Sequence, residues 1–519
     1  MTLPGYVPQV SDFVKQYAGV TPDKVAQIDL ASGRRETYGQ MHERVAGIAG
    51  HLRALGVAEG DRVGFLSLNT TDIPDIILAT WRIGGISLAL NFRLTATELA
   101  YILNDAEPDV VFIGEEFAAL IPELQTVTSV RHWIRFDGLG GAESELEKAI
   151  TSADPIYDRV PQTMNDQCLL MYSSGTTGHP KGVIITYGMI FYSAYHGVAP
   201  FKNSTDTVSL AVMPLFHIGG LNVTSLPILI LGGTSVVMRA FDPGLALDVI
   251  NDPDIGVTHM LAVPAMYTAM KAHPKNADTD FSRLISAAAG GESVPVPLVK
   301  WWYDRGVTIL DGYGMTESAA SNCIASHSDV PDRVGSSGKA LMFTEMRIVR
   351  ADGTDAEPNE PGEIWMRGPV ITPGYWRNEE ANAAAFSDGW FKSGDIARRD
   401  AEGYFYIEDR TKDMYISGGE NVYPAEVEST LYGLDSVAEV AVIGVGDDQW
   451  GEVGCAVIVP ADGCTVTLDD LQAYSEGKLA RYKHPKHCVI MDELPRNATG
   501  KVQKFKLRDM VPELLGLSE

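Results

Sequence analysis

The sequence predicts an α/β protein: a large N-terminal domain of two parallel-type α/β layers plus a β subdomain, followed by a small, mobile α/β C-terminal domain. Three observations carry this. Strand-like apolar runs alternate with helical periods through the first third and again beyond residue 200, the pattern of a parallel sheet covered by helices. From about Gly335 the runs shorten and turn pairs multiply, as in an antiparallel β unit. A charged segment, Asp409 to Asp413, then precedes a fresh α/β stretch, residues 413–519, long enough to fold alone. The predicted division is 1–411 and 413–519.

Taken in order, Thr37 to Gln40 forms a capping box, and Met41, Val45, Ile48, Leu52 and Leu55 follow at helical spacing until Gly56 stops the helix. Arg62–Leu68 reads as a strand, Ile73–Ile83 as a helix closed by Gly84 and Gly85, and Ile86–Leu90 as a strand. Thr95 to Glu98 is a second capping box, and Val110–Ile113 a further strand. In the second layer, Val208–Met213 and Ser235–Met238 are strands and a helix starts near Gly219. Leu226–Leu231 ends at glycines as a buried strand does, and Val257–Leu261 and Leu284–Ala288 are short apolar runs leading into loops and helices. Turns at Asp352-Gly353, Pro361-Gly362, Asp388-Gly389 and Glu402-Gly403 punctuate the β subdomain, which ends on a strand at Tyr404–Ile407. The last unit predicts a helix from Pro424, strands Val437–Val445 and Gly454–Val459, a helix Leu468–Ala480 and an extended end.

The charge balance, 41 Lys and Arg against 68 Asp and Glu, gives −27 and disfavours nucleic acid polymers and anionic membranes as partners. It leaves room for a small anionic ligand in a locally positive pocket. The five cysteines, Cys168, Cys323, Cys455, Cys464 and Cys488, form no CxxC and predict reduced thiols rather than a disulfide framework. Met1–Val10 holds Pro4 and Pro8 and no basic-then-apolar run, so no signal peptide is expected. No apolar run approaches the roughly 18 residues of a membrane span. A soluble cytoplasmic protein is the expectation.

The densest chemical signal is Tyr172-Ser-Ser-Gly-Thr-Thr-Gly-His-Pro-Lys-Gly182, between two apolar runs. Three glycines and four hydroxyl residues make a turn whose N–H groups and hydroxyls can converge on phosphate oxygens, with Lys181 as a point charge. It lacks the GxxxxGK[ST] of a Walker A loop. This string resembles the phosphate loop of the adenylate-forming superfamily, which includes acyl-CoA synthetases, peptide-synthetase adenylation domains and luciferases. Further segments match that superfamily in order: Asp311–Glu317 (DGYGMTE), Gly374–Trp376 (GYW), Gly389–Asp395 (GWFKSGD), Asp409–Asp413 (DRTKD), Gly418–Pro424 (GGENVYP) and Pro495–Lys501 (PRNATGK). Ser173 stands where Thr is usual and keeps the hydroxyl.

The resemblance implies a two-step ligase using ATP, Mg²⁺ and coenzyme A: a carboxylate attacks the ATP α-phosphate to give acyl-AMP and pyrophosphate, and a thiol then takes the acyl group. It assigns Ser173, Ser174, Gly175, Thr176, Thr177 and Lys181 to the β/γ-phosphates, Glu317 to Mg²⁺, and Thr316 to the α-phosphate. Gly290, Gly291, Glu292, Asp311, Gly312 and Tyr313 would form the adenine slot, with Tyr313 stacking and Asp311 accepting from the amino group. Asp395 would accept from the ribose hydroxyls and Arg410 reach the ribose or phosphates. Lys501 would bridge carboxylate and α-phosphate, Lys412 would be the hinge about which the C-terminal domain turns between half-reactions, and the loop holding Gly418 and Gly419 would then line the pantetheine channel. His217 would sit beside the carboxylate.

Acyl-pocket candidates by the same resemblance are Phe216, Gly220, Asn222, Val263, Pro264, Met266, Tyr267, Ala288, Ala289, Gly312, Met315 and Ala320. Lacking Lys or Arg, they predict an apolar monocarboxylate, either a medium- or long-chain fatty acid or an aryl or arylpropenoic acid. Malonyl-CoA synthetases of the family place an Arg where this chain has Ala269, and amino-acid-activating members place an Asp that Phe216–Val223 lacks. Expected partners are the acid, ATP and CoA, with a homodimer allowed as an assembly. The alternatives are a stand-alone adenylation enzyme loading a carrier protein, a luciferase-like oxygenase and a non-catalytic binding protein; the joint presence of Lys181, Glu317, Asp395, Arg410 and Lys501 weighs against the last.

Overall fold

The computed structural model describes residues 9–141, 144–173, 180–291, 294–410, 413–417, 420–447, 450–496 and 502–516, the side chains of 409, 410, 420 and 421 excepted. Four sheets organise them. A six-stranded sheet carries Arg62–Leu66, Ile86–Ala89, Val110–Gly114, His132–Phe136 and Gln167–Ser173 in parallel, with Lys181–Thr186 antiparallel at its edge. A nine-stranded sheet has a parallel core of Val25–Asp29, Thr234–Val237, Val208–Ala211, His259–Ala262, Ser286–Ala289 and Ile309–Tyr313. A five-stranded antiparallel sheet spans residues 345–410, and a mixed five-stranded sheet is built from strands between Tyr415 and Ile490.

The local signals act as the chemistry requires. The Thr37 hydroxyl accepts from the Gln40 amide while Gln40 returns a bond to the Thr37 amide, opening Tyr38–Ala54; Thr95 and Glu98 do the same for Ala96–Ala106. Gly56 takes φ +91° just beyond the first helix. Continuous strand burial, as along Val110–Gly114 where every residue is buried, reflects helices on both faces of the sheet.

Three expectations are corrected. Leu226–Ile230 is a short helix, not a strand: Pro227 sits at its first turn, where a missing N–H costs nothing. The helix from Leu468 ends at Ser475, with Gly477 at φ +73° beyond it, rather than reaching Ala480. The chain end is a helix, Lys504–Leu514, that buries Leu507 and Val511 one turn apart. The strand predicted at Tyr404–Ile407 runs from Phe405 through Arg410. Lys412, the predicted hinge, lies outside the described residues. All five cysteines are free, and among the described residues no helix is long and apolar enough to cross a membrane.

One buried feature has no counterpart in the sequence reading. Arg44 reaches Glu36 at 3.2 Å, Asp75 at 3.0 Å, Asp72 at 2.9 Å and Glu147 at 2.9 Å, and Arg34 reaches Asp72 at 2.6 Å. The cluster ties the helix Tyr38–Ala54 to the helix Asp72–Arg82, and Gln27 donates to both Glu36 and Asp75.

Candidate active site

A cleft of about 2810 Å³ opens where the parallel strands of the nine-stranded sheet end, the position at which open α/β sheets bind ligands. Its walls also include the end of Gln167–Ser173, the antiparallel sheet and the C-terminal unit.

Ser173 and Lys181 are cross-strand partners in the ladder of Gln167–Ser173 with Lys181–Thr186. Lys181 Nζ lies 5.4 Å from the centre of the Tyr375 ring, a cation–π contact. The Tyr375 hydroxyl donates to Glu317 Oε1 at 3.1 Å, and Ser173 Oγ donates to the same oxygen at 3.3 Å. Glu317, 6% exposed, is thus held by hydroxyls, while its backbone carbonyl accepts from the Thr372 amide. Burial, and next the charge of Glu317, push the Tyr375 phenol up, keeping it a donor. Thr316 opens the short 3-10 turn carrying Glu317 and lines the cleft.

The residues expected around adenosine are also held by hydrogen bonds. The Tyr313 hydroxyl donates to Asp395 Oδ2 at 2.7 Å, which fixes the ring against the carboxylate. Asp395 is itself 6% exposed. Asp311 sits at the strand end beside Tyr313; desolvation pushes its carboxyl well above the usual range, opposed by hydrogen bonds from the Gly312 amide and Ser337. A ligand N–H arriving there would favour the charged form. Gly290 and Gly312 pass so close that a Cβ on Gly290 would stand 3.0 Å from the Gly312 carbonyl oxygen, and Gly291 takes φ +88°. A Cβ on Gly314 would fall 1.5 Å from the Ala320 carbonyl oxygen, so no other residue fits that turn.

His217 lines the cleft and caps the helix Ile218–Thr224, its Nδ1 accepting from the Gly219 amide at 3.4 Å. Of the acyl-pocket candidates, Phe216, Val263, Pro264, Ala288, Ala289, Gly312, Met315 and Ala320 line the cleft. The other four do not. Tyr267 is buried, and its hydroxyl donates to the Ala288 carbonyl. Asn222 faces inward and donates to the Ala319 carbonyl at 2.7 Å. Gly220 packs on the chain, since a Cβ would stand 2.2 Å from the Pro214 carbonyl oxygen, and Met266 packs partly buried against the core. Helical geometry explains these misses, because neighbours in sequence on a helix face different ways. Phe201, Val223 and Leu261 take their places on the wall.

Ser174, Gly175, Thr176, Thr177, Glu292, Gly418, Gly419 and Lys501 lie outside the described residues, as does the Arg410 side chain. The cleft also collects more cations than the sequence suggested: Arg93, Lys392, Lys504, Lys506 and Arg508 line it, Lys504 paired with Glu428 at 2.9 Å and Arg508 with Asp413. Tyr375 was quoted only as part of the GYW motif; a tyrosine beside two glycine-flanked motifs was the available signal.

Among the described residues no group of three or more His, Cys, Asp or Glu forms a metal cage. A single buried carboxylate fits an ion that completes its shell from phosphate oxygens and water, which is the habit of Mg²⁺.

Residues 14–376 match the family model described as AMP-binding enzyme, and residues 426–501 the model described as AMP-binding enzyme C-terminal domain. A feruloyl-CoA synthase of an Amycolatopsis species is 40% identical over 92% of this chain and 94% of its own length. A long-chain-fatty-acid–CoA ligase of Mycobacterium tuberculosis, FadD13, is 35% identical over 96% of this chain and 97% of its own. The solved structure of the anthranilate CoA ligase AuaEII, in complex with anthranoyl-AMP, superposes with a TM-score of 0.92 at 27% identity, covering both chains fully.

Proposed function

Because the chain belongs to the AMP-binding enzyme family of adenylate-forming ligases, we propose that the acid it activates is a compact aryl or arylpropenoic monocarboxylate. The chain is an acid–thiol ligase: it forms an acyl-AMP from an aryl or fatty acid and ATP, releasing pyrophosphate, and transfers the acyl group to CoA with release of AMP. The observation that carries the finer reading is the end of the acyl cleft. On this reading Phe201, Val223, Leu261 and Ala288 are its floor, since they line both the cleft and an adjoining void of about 10 Å³ whose other walls include Ser209, His259 and Ser286. A long alkyl chain needs a continuing apolar path. A flat ring against Leu261 and Ala288 does not. The feruloyl-CoA synthase and an indoleacetate–CoA ligase of Aromatoleum aromaticum, 36% identical over 97% of this chain, support this choice over a fatty acid.

Site roles follow the charge logic of bringing two anions together. Lys181 would face the β/γ-phosphates, Thr316 the α-phosphate, Asp311 and Tyr313 the adenine, Asp395 the ribose, and His217 the acid carboxylate. Glu317 would hold Mg²⁺, which when bound neutralises phosphate charge. Arg410 and Lys501 would add cations, and Gly418 and Gly419 would border the pantetheine arm. The domains would be 1–411 and 413–519 with Lys412 as hinge, a reading supported by the antiparallel sheet's last strand ending at Arg410 and the next sheet's first strand starting at Tyr415. The cytoplasm is the compartment that suits free thiols and these substrates.

The test is CoA-dependent AMP release across benzoates, cinnamates and fatty acids of graded length. The aryl and arylpropenoic acids should give the highest kcat/KM, with fatty acids falling as they lengthen. Faster turnover of a long fatty acid than of every aryl acid would overturn the assignment.

A further inference from the structure

The strands Val208–Ala211, His259–Ala262 and Ser286–Ala289 are parallel neighbours in a register that aligns Ser209, His259 and Ser286. Aligned residues share a face of the sheet, and so do residues two positions on. There the aligned set is Ala211, Leu261 and Ala288, of which Leu261 and Ala288 are floor residues of the acyl cleft. A polar row therefore lies one pleat, about 6–7 Å, beneath an apolar floor.

The members of this row are not equivalent. His259 is saturated: one ring nitrogen lies 2.7 Å from the Phe201 carbonyl oxygen and the other 2.7 Å from Thr258 Oγ1. Burial lowers its pKa, so the neutral ring donates from Nε2 to the carbonyl and accepts at Nδ1 from the threonine. Ser286 is 3% exposed, and its hydroxyl has no hydrogen-bond partner among the described residues. It lines the void behind the floor, whose roughly 10 Å³ is the space of a single water. A buried hydroxyl left unmatched beside such a void is a group that gains from a partner.

We propose that Ser286 is a specificity-determining residue that reads a hydroxyl at the far end of an aryl acid, directly or through the one water the void admits. The proposal rests on the aryl-acid reading above and narrows it to hydroxylated aryl acids. A ring lying on Leu261 and Ala288 points its distal substituent at this row. A substrate without the hydroxyl leaves Ser286 unmatched, and a hydroxyl without Ser286 loses its partner.

The experiment measures kcat/KM of the full chain and of Ser286→Ala for 4-hydroxycinnamate, cinnamate and decanoate, with thermal melting as a check on folding. The hydroxycinnamate-to-cinnamate ratio should fall about 3–10-fold in the variant, the size of one neutral hydrogen bond, while the melting temperature holds. An unchanged ratio, or an equal fall for both cinnamates, overturns the proposal and leaves the aryl-acid reading standing. Turnover of decanoate with neither cinnamate accepted by the unaltered chain overturns both.

Discussion

Two of the groups of buried carboxylates among the described residues are held in different ways. Between the helices Tyr38–Ala54 and Asp72–Arg82, carboxylates are matched by charge: Arg44 alone reaches Glu36, Asp72, Asp75 and Glu147. In the cleft, Glu317 accepts from the hydroxyls of Tyr375 and Ser173 and Asp395 from that of Tyr313, whereas Glu428 and Asp413 pair with Lys504 and Arg508. Carboxyl groups gathered around an arginine that bridges two helices hold the fold. A carboxylate held by hydroxyls is oriented for whatever enters. The first set is architecture and the second is a site, and net charge cannot distinguish them.

The largest effect expected on this contrast is in the cleft. Lys181→Ala removes the cation proposed to face the β/γ-phosphates and should lower pyrophosphate release about 10²–10³-fold, as loss of one preorganised charge-stabilising group does. Stopped-flow or coupled pyrophosphate detection measures it, and the melting temperature should barely move. Arg44→Met should do the reverse. It strands several buried acids and should cost about 3–5 kcal/mol in urea denaturation, with the adenylation rate per folded molecule near normal.

A smaller effect sharpens the cleft side. Tyr313→Phe frees Asp395 from its 2.7 Å partner and should raise KM for ATP about 3–10-fold with kcat little changed. The smallest concerns pH. Burial, and next the charge of Asp75, push Glu36 above the usual carboxylate range. A raised folded pKa means the folded state binds a proton the unfolded chain has released. Stability from this group is complete below the ordinary carboxylate range and fades as pH rises through the folded value. Wild-type protein should therefore lose stability between mildly acidic and mildly alkaline pH, and Glu36→Gln should flatten that slope in denaturation curves.

Much of the site was legible because its motifs are local. The turn at Gly312–Gly314 and the acid at 395 each sit beside a glycine that the backbone needs, Gly314 for its close approach to Ala320 and Gly394 at φ +72°, and that spacing survives in sequence. The acyl wall was half legible, since resemblance names a segment and only the helix phase decides which of its residues face in: Val223 lines the cleft and Asn222, its neighbour, does not. The Arg44 cluster was invisible because its members, Glu36, Arg44, Asp72, Asp75 and Glu147, come from distant segments and each alone reads as a surface charge. Leu226–Ile230 misled for a different reason: a short apolar run has no period to separate helix from strand, and only Pro227 gave the answer.

The contrast between site and scaffold is tested most directly by Glu317→Gln, measured for both pyrophosphate release and thermal melting. The substitution keeps shape and hydrogen bonding but removes the charge that Tyr375 and Ser173 hold in place. Adenylate formation should fall about 10²–10³-fold with the melting temperature unchanged. Adenylate formation at the normal rate, or a collapse in melting temperature to match the loss of activity, would contradict the account.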